Sequence, residues 1–236
     1  MQEEGSAVDP QAELTSTKCL ELFCESIPSS VLQTYALLGS ADEVSATAVA
    51  SIVSSAIAIA FASSTISLDF DIDPAKRTIA PQFYGYTPDV NRMLVFVIMT
   101  MMAAAHVLMK VLACSLMLRV NQTWFITYLT GDVGIYLLYK TLRGDIIYWF
   151  PLEGVFSLIV SFAVRIIVKP IADFTLILQF RHPFELSGIY WSLNLILQQL
   201  FCFIAVYVYF HNESGTGPGS GDLSSSPFRK LGEMGK

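Results

Sequence analysis

Long apolar runs, separated by short gaps that hold most of the charge, dominate this sequence and limit the folds open to it. About 20 consecutive apolar residues are enough for an α-helix to cross the hydrocarbon layer of a membrane. The 236 residues are 53% hydrophobic and only 14% charged, whereas an average soluble domain is about a quarter charged. We therefore predict an all-α fold, a polytopic transmembrane helical bundle with five to six spanning segments, of which one or two could be re-entrant.

The apolar runs divide the chain into a tail, a membrane domain and a second tail. Residues 1–17 are polar and acidic and are predicted to be disordered. Residues 18–210 are the transmembrane helical domain, and residues 211–236, rich in Gly, Ser and Pro, are predicted to be a flexible tail. Residues 169–187 mix apolar and polar groups, which indicates an interfacial or re-entrant piece. The predicted segments are 18–38, 44–67, 92–118, 124–142, about 146–168, and 188–210.

The positions of lysine and arginine predict the orientation of the bundle, because these residues accumulate on the cytoplasmic side. If six segments cross and the N-terminus lies inside, nine of the 14 cations lie on the cytoplasmic side. Lys110 and Arg165 then fall within segments, while Arg119, Lys169 and Arg181 lie outside. We expect both termini in the cytoplasm and a multi-pass protein of the plasma membrane, with an internal membrane as the alternative.

Several ionisable residues fall inside the apolar runs, and they are the main candidates for function. Each costs roughly 2.5–3.5 kcal/mol to insert at membrane depth. Such residues are therefore expected to face the bundle interior, a partner or water. The candidates for a lipid or solute path are Glu21, Glu25, Pro28, Gln33, His106, Lys110, Asp132, Arg165 and Asp173.

Glu21 and Glu25 lie four residues apart, so that a helix places both carboxylates on one face. Pro28 follows, and it weakens the hydrogen bonding of the helix at that point. Two interpretations have equal support from the sequence. The segment is either a bent or re-entrant helix whose acids face a polar cavity in the membrane, or a cytoplasmic amphipathic helix whose acids face water.

His106 and Lys110 are one helical turn apart in the third segment, and Asp132 lies near the middle of the fourth. A tight link joins these two segments, which predicts that they are antiparallel neighbours. An ion pair between Lys110 and Asp132 would neutralise both charges. The favoured interpretation is that this pair fixes helix packing. The alternative is a path for an ion or solute that also uses the charges of Glu25 and Arg165.

The sequence offers little for other classes of function. It has no basic stripe typical of nucleic-acid binding, and its net charge of −6 comes largely from the first 25 residues and from Asp69, Asp71 and Asp73. The four cysteines show neither metal spacing nor a disulfide framework. Because no nucleophile–base arrangement or glycine-rich phosphate loop stands out, we expect no enzyme activity, no cofactor, no metal and no nucleic-acid partner.

The stretch Leu20–Leu38 resembles a motif of the XK-related family of membrane proteins. The matching residues are Phe23, Glu25, Pro28, Leu32, Gln33 and Tyr35. Ser29 stands where the family usually has glutamine. The next segment is similar to the serine-containing helix that follows this motif in the family. The resemblance covers about residues 17–118, which correspond to part of the later half of the family's chains.

XK-related proteins include phospholipid scramblases with several spanning helices, some of them re-entrant, and cytoplasmic termini. The resemblance implies that Glu25 and the polar residues near it line a path for lipid headgroups. Lipid scrambling or lipid handling, with membrane lipids as partners, is therefore the leading hypothesis. The alternatives are a small transporter or channel subunit, and a structural protein that assembles with a partner membrane subunit or as a homo-oligomer.

Overall fold

The computed structural model describes residues 10–39, 45–74, 78, 85, 87–143, 154–176 and 189–215. Within these ranges all of the regular structure is helical, which confirms the predicted all-α class. The elements are α1 (Pro10–Glu21), a π-helical turn (Leu22–Ser26), α2 (Ile27–Gly39), α3 (Ala46–Ile72), α4 (Arg92–Val120), α5 (Gln122–Arg143), α6 (Gly154–Thr175) and α7 (Ile189–Gly215).

Three of the described helices are long and apolar enough to cross a membrane: α3, α4 and the part of α7 from Ser192 to His211. Only about a third of each span is buried inside the protein, so most of their apolar surface is exposed. Ile57, Ile98 and Phe203 are examples, with half or more of the residue exposed. Apolar faces of this kind are suited to lipid. The chain is therefore a helical integral membrane protein, and a total of five to six spans stays a prediction.

Some helix boundaries differ from those predicted. Helix α1 begins at Pro10, within the range predicted to be disordered, because proline is well suited to the first turn of a helix. Helix α6 continues through the start of the predicted interfacial piece to Thr175, since Ile171 and Phe174 pack into the hydrophobic core. Helix α7 extends to Gly215, past the predicted limit of the membrane domain. Residues 1–9, 177–188 and 216–236 lie outside the described ranges.

Helix α4 is the centre of the bundle and packs against α2, α3, α5, α6 and α7. Val107, Val111 and Cys114 on this helix are buried in the main hydrophobic cluster. The Ser115 hydroxyl joins α4 to α2 through a 3.0 Å hydrogen bond to the carbonyl of Val31. The central position of α4 means that its polar residues can reach partners on several helices at once.

The π-helical turn between α1 and α2 explains how the chain passes Pro28 without losing its helix. The N–H of Ile27 bonds to the carbonyl of Leu22, five residues earlier, which widens the turn. Proline has no N–H to offer to the carbonyl four residues before it, and its ring crowds that carbonyl. A π-helical turn relieves this conflict, and such turns are frequent at functional sites. The first predicted segment is thus an irregular helix with Glu25 in its irregular turn.

Candidate functional site

An open groove lies between α3 and the segment formed by α1, the π-helical turn and α2. Its volume is about 340 Å³. We call it the serine groove, because serines are the commonest residues in its lining. The lining residues are Lys18, Glu21, Leu22, Glu25, Ser26, Ser29, Ser30, Ser55, Ala58, Ile59 and Ala62. The groove therefore combines charged groups and hydroxyls with an apolar floor.

The position of the serine groove along α3 sets its depth in the membrane. Ser55, Ala58, Ile59 and Ala62 line it from that helix, and Ile59 stands at the midpoint of Ala46–Ile72. This helix is long and apolar enough to span a bilayer, and when it does so its midpoint lies near the centre of the hydrocarbon layer. The charged residues on the opposite wall consequently face the depth at which charge is most costly.

The charged residues of the serine groove have no ionic partner in the protein. Within the part of the chain that the structure describes, Lys18, Glu21 and Glu25 form no ion pair. Both carboxylates line the groove, so the predicted common face of Glu21 and Glu25 holds even though a π-helical turn begins between them. Two carboxylates and one ammonium therefore face the same open space.

Pro28 and Gln33 act at the edge of the groove. Pro28 is exposed and does not line the cavity, so its influence is on the backbone of the π-helical turn. The Gln33 amide donates a hydrogen bond of 3.2 Å to the hydroxyl of Ser29, which does line it. Ser30 is buried, and its hydroxyl donates to the carbonyl of Ser26 at 2.9 Å. These local bonds leave the serine oxygens able to accept hydrogen bonds.

A second group of polar residues forms a closed network among α4, α5, α6 and α7, which we call the buried network. Its centre is the Lys169 ammonium, which is 3% exposed. This ammonium lies 2.5 Å from a carboxylate oxygen of Asp173 and 3.1 Å from one of Asp132. It also donates to the side-chain oxygen of Asn194 at 3.3 Å. One cation thus bonds to groups from three helices.

The other cation of the buried network, Lys110, does not pair directly with Asp132. Its ammonium donates to the Tyr128 hydroxyl at 2.6 Å and to the side-chain oxygen of Gln198. The Gln198 amide in turn donates to Asp132 at 3.2 Å. The predicted Lys110–Asp132 ion pair is therefore wrong, because Gln198 from α7 bridges the two residues and Lys169 neutralises Asp132.

His106 closes the network on the side of α4. One ring nitrogen, Nε2, lies 3.0 Å from the backbone carbonyl of Asp173, and the other, Nδ1, lies 3.2 Å from the amide nitrogen of Gln199. A carbonyl oxygen only accepts, so Nε2 donates and Nδ1 accepts. The imidazole is therefore neutral in this arrangement, with both of its nitrogens satisfied.

The charges of the buried network balance, and the space among them is nearly filled. Two ammonium groups, Lys110 and Lys169, face two carboxylates, Asp132 and Asp173. Lys110, Asp132 and Asp173 line a void that measures only about 10 Å³, which holds one water molecule at most. A void of this size has no room for a solute. This supports the interpretation that these residues fix helix packing.

Arg165 is buried near the same helices, and its guanidinium donates to the Tyr136 hydroxyl at 2.9 Å. Glu25 is exposed in the serine groove and makes no ion pair within the described ranges, so it does not pair with Arg165. Two cations that the sequence placed beside the membrane are buried in helices: Lys140, one of the nine assigned to the cytoplasmic side, and Lys169, assigned to the outside. The orientation with both termini inside therefore loses one supporting cation, Lys140, and one opposing cation, Lys169, and it stays a prediction.

Three members of the network were not among the candidates singled out from the sequence: Lys169, Asn194 and Gln198. A signal was present, since Lys169 and Asp173 are four residues apart, as are Asn194 and Gln198, and each pair shares a helix face. Among the described residues, no cluster of His, Cys, Asp and Glu is arranged to hold a metal ion.

The fold and these two sites define a helical membrane protein with an open polar groove and a closed charge network. Comparison with known proteins adds no family to this description. No protein-family model matches the chain, and no curated protein or solved structure is significantly similar to it.

Proposed function

We propose that this chain is an XK-like membrane protein that scrambles or otherwise handles phospholipids, and that the serine groove is its headgroup path. The observation that carries the proposal is the location of Lys18, Glu21 and Glu25. These charges have no ionic partner among the described residues and face the midpoint of a helix fit to span the membrane. The resemblance of residues 17–118 to the XK-related family supports the same function.

The physical role of the serine groove follows from the cost of moving a headgroup through hydrocarbon. A charge without a partner is strongly disfavoured at membrane depth. Carboxylates, an ammonium and serine hydroxyls can replace the water around a headgroup while the acyl chains remain in lipid. Leu22, Ile59 and Ala62 give the groove an apolar floor that lipid can also contact. No covalent chemistry is required for this activity.

The depth of the groove also favours one interpretation of the Glu21–Glu25 segment over the other. A cytoplasmic amphipathic helix would pack near one end of α3, not opposite its midpoint. The carboxylates would then have bulk water as their surroundings. Their position beside Ser55 and Ile59 instead supports an irregular intramembrane helix that faces a polar cavity.

A small transporter or channel subunit is the main alternative. The buried network does not favour it, because its void of about 10 Å³ is too small for a hydrated ion or a solute. A solute path would therefore use the serine groove as well. The location proposed for the protein is the plasma membrane, with membrane lipids as its partners.

Reconstitution into liposomes tests the proposed function. The purified protein is placed in vesicles with fluorescent phospholipid, and exposure of the inner-leaflet probe to a quencher is measured. We expect Glu25→Gln to lower the rate severalfold with no loss of folded protein. Glu13→Gln is the matched control, since Glu13 is an exposed carboxylate of the same helical segment that does not line the groove.

Each alternative has a distinct outcome in the same vesicles. Equal lipid movement in the wild type and in Glu25→Gln would remove the serine groove as the path. Ion flux without lipid movement would identify a channel subunit. A folded protein that moves neither lipid nor ions would belong to the structural class.

A further inference from the structure

The serine groove is asymmetric in charge along its length. Lys18, Glu21 and Glu25 follow one another over about two helical turns, so the ammonium lies at one end and the carboxylates extend from it. The groove carries two negative charges and one positive charge. Its hydroxyls, from Ser26, Ser29, Ser30 and Ser55, can donate or accept hydrogen bonds and do not alter this balance.

We propose that the serine groove selects phospholipids whose headgroup carries an ammonium, such as choline or ethanolamine, over anionic headgroups without one, such as glycerol. This inference rests on the proposed function and names the lipid class for the same groove. The headgroup ammonium lies against Glu21 and Glu25. The phosphate lies toward Lys18 and the serine hydroxyls.

The selection follows from the surroundings of the groove. Opposite charges attract more strongly in a medium of low dielectric constant than in water, and the groove faces the midpoint of α3. An ammonium headgroup gives the two carboxylates the partner that the described part of the protein does not supply. Phosphatidylglycerol brings a negative phosphate and no cation, so Glu21 and Glu25 remain unbalanced when it binds.

Glu25 is the better position for a test than Glu21 because it lies farther from Lys18 along the helix. Its replacement by lysine converts the far end of the groove from negative to positive. The side chain is exposed, so the change does not bury a charge within the hydrophobic core. Glu13→Lys introduces the same charge change on α1 outside the groove and is the matched control.

Thermal unfolding of the full chain in detergent measures headgroup binding without any need for transport. The probes are dioctanoylphosphatidylcholine and dioctanoylphosphatidylglycerol at equal concentration. We expect the choline lipid to raise the Tm of the wild type by about 3 °C at roughly ten times its Kd. The glycerol lipid is expected to raise it by less than about 1 °C. Glu25→Lys should reverse this order, and Glu13→Lys should preserve it.

Equal stabilisation by the two lipids, or none by either, would overturn the inference. A reversal in Glu13→Lys as large as that in Glu25→Lys would also overturn it, because overall charge would then explain the result. If Glu25→Lys does not fold, Glu25→Gln serves in its place and is expected to reduce the difference between the lipids.

The failure of this inference is distinguishable from the failure of the proposed function. Movement of choline and glycerol lipids at equal rates in liposomes, with equal stabilisation in detergent, would leave lipid movement standing and remove the selectivity. Selective stabilisation by the choline lipid without movement of any lipid would leave the binding site standing and remove the transport function.

Discussion

The serine groove and the buried network place charges inside one membrane protein in opposite ways. In the groove, Glu21 and Glu25 face an open cavity of about 340 Å³ and have no ion pair within the described ranges. In the network, Asp132 and Asp173 share the ammonium of Lys169 around a void of about 10 Å³. On the proposed function, the charges of the groove take their partner from outside the protein, whereas those of the network take it from within.

The same difference predicts separate consequences for mutation. Removal of one partner of a buried ion pair leaves an uncompensated charge and costs about 3–5 kcal/mol. Removal of an exposed charge usually changes stability by less than about 0.5 kcal/mol. Changes in the network are therefore expected to affect folding, and changes in the groove to affect activity.

The largest effect is expected for Lys169→Met. This change leaves the buried carboxylate of Asp173 and the partly buried carboxylate of Asp132 without their shared cation, which should lower the free energy of unfolding by about 3–5 kcal/mol. The measurements are the yield of monodisperse protein and its Tm in detergent.

Lys18→Met is the matched control for that change, because it removes a lysine that lines the groove and forms no ion pair among the described residues. Its stability should not fall, because no ion pair among the described residues is lost. Similar losses of stability in Lys169→Met and Lys18→Met would contradict the distinction between the buried network and the serine groove.

An intermediate effect is expected for Lys110, whose direct partner in the network is Gln198 and not Asp132. A double-mutant cycle between Lys110→Met and Gln198→Leu should give a coupling energy of about 1.5–3 kcal/mol, as for a hydrogen bond to a charged group. The cycle between Lys110→Met and Asp132→Leu should give less than half of that value. Stronger coupling to Asp132 would mean that the two charges meet directly.

The smallest effect on stability is expected for Pro28→Ala. Alanine supplies the N–H that proline lacks, so the π-helical turn can relax toward a regular α-helix. We expect the free energy of unfolding to rise by less than about 1 kcal/mol. Lipid movement should fall about twofold, because Glu25 rotates relative to α3. In a regular α-helix each residue added or removed rotates the side chains on one side of the change by about 100° about the helix axis, relative to those on the other side. If lipid movement is unchanged in a variant whose helix is regular, the π-helical turn is not needed for activity.

The sequence predicted the helical segments more successfully than the network. Apolar run length is a local property, so the spans near 44–67 and 92–118 were recognisable, and the four-residue spacing of Glu21 and Glu25 correctly placed both on one face. The groove itself also needs Ser55 and Ile59 from the next helix. In the sequence alone, Ser55 and Ile59 look like ordinary helix-packing residues, because the sequence does not show that the two segments are neighbours.

The network was not predictable to the same extent, because its connections cross helices that are distant in the chain. Lys110 and Gln198 are 88 residues apart, and Asp132 and Lys169 are 37 apart. The prediction paired Lys110 with Asp132 because their segments are consecutive in the chain. It did not consider partners on α7. Polar residues at four-residue spacing in the last apolar run were the available signal for a third helix in the network.

The accessibility of the serine groove to water can be measured by cysteine labelling in intact membranes. In a background with the four native cysteines replaced by alanine, Ser55→Cys is compared with Ile57→Cys, using a charged, membrane-impermeant methanethiosulfonate reagent. Ser55 lines the groove, whereas Ile57 is 50% exposed on a surface suited to lipid. We expect rapid modification of Ser55→Cys and little of Ile57→Cys, although Ile57 is well exposed in the isolated chain. Modification of both at the same rate, or only of Ile57→Cys, would contradict an open polar groove at the midpoint of a spanning helix.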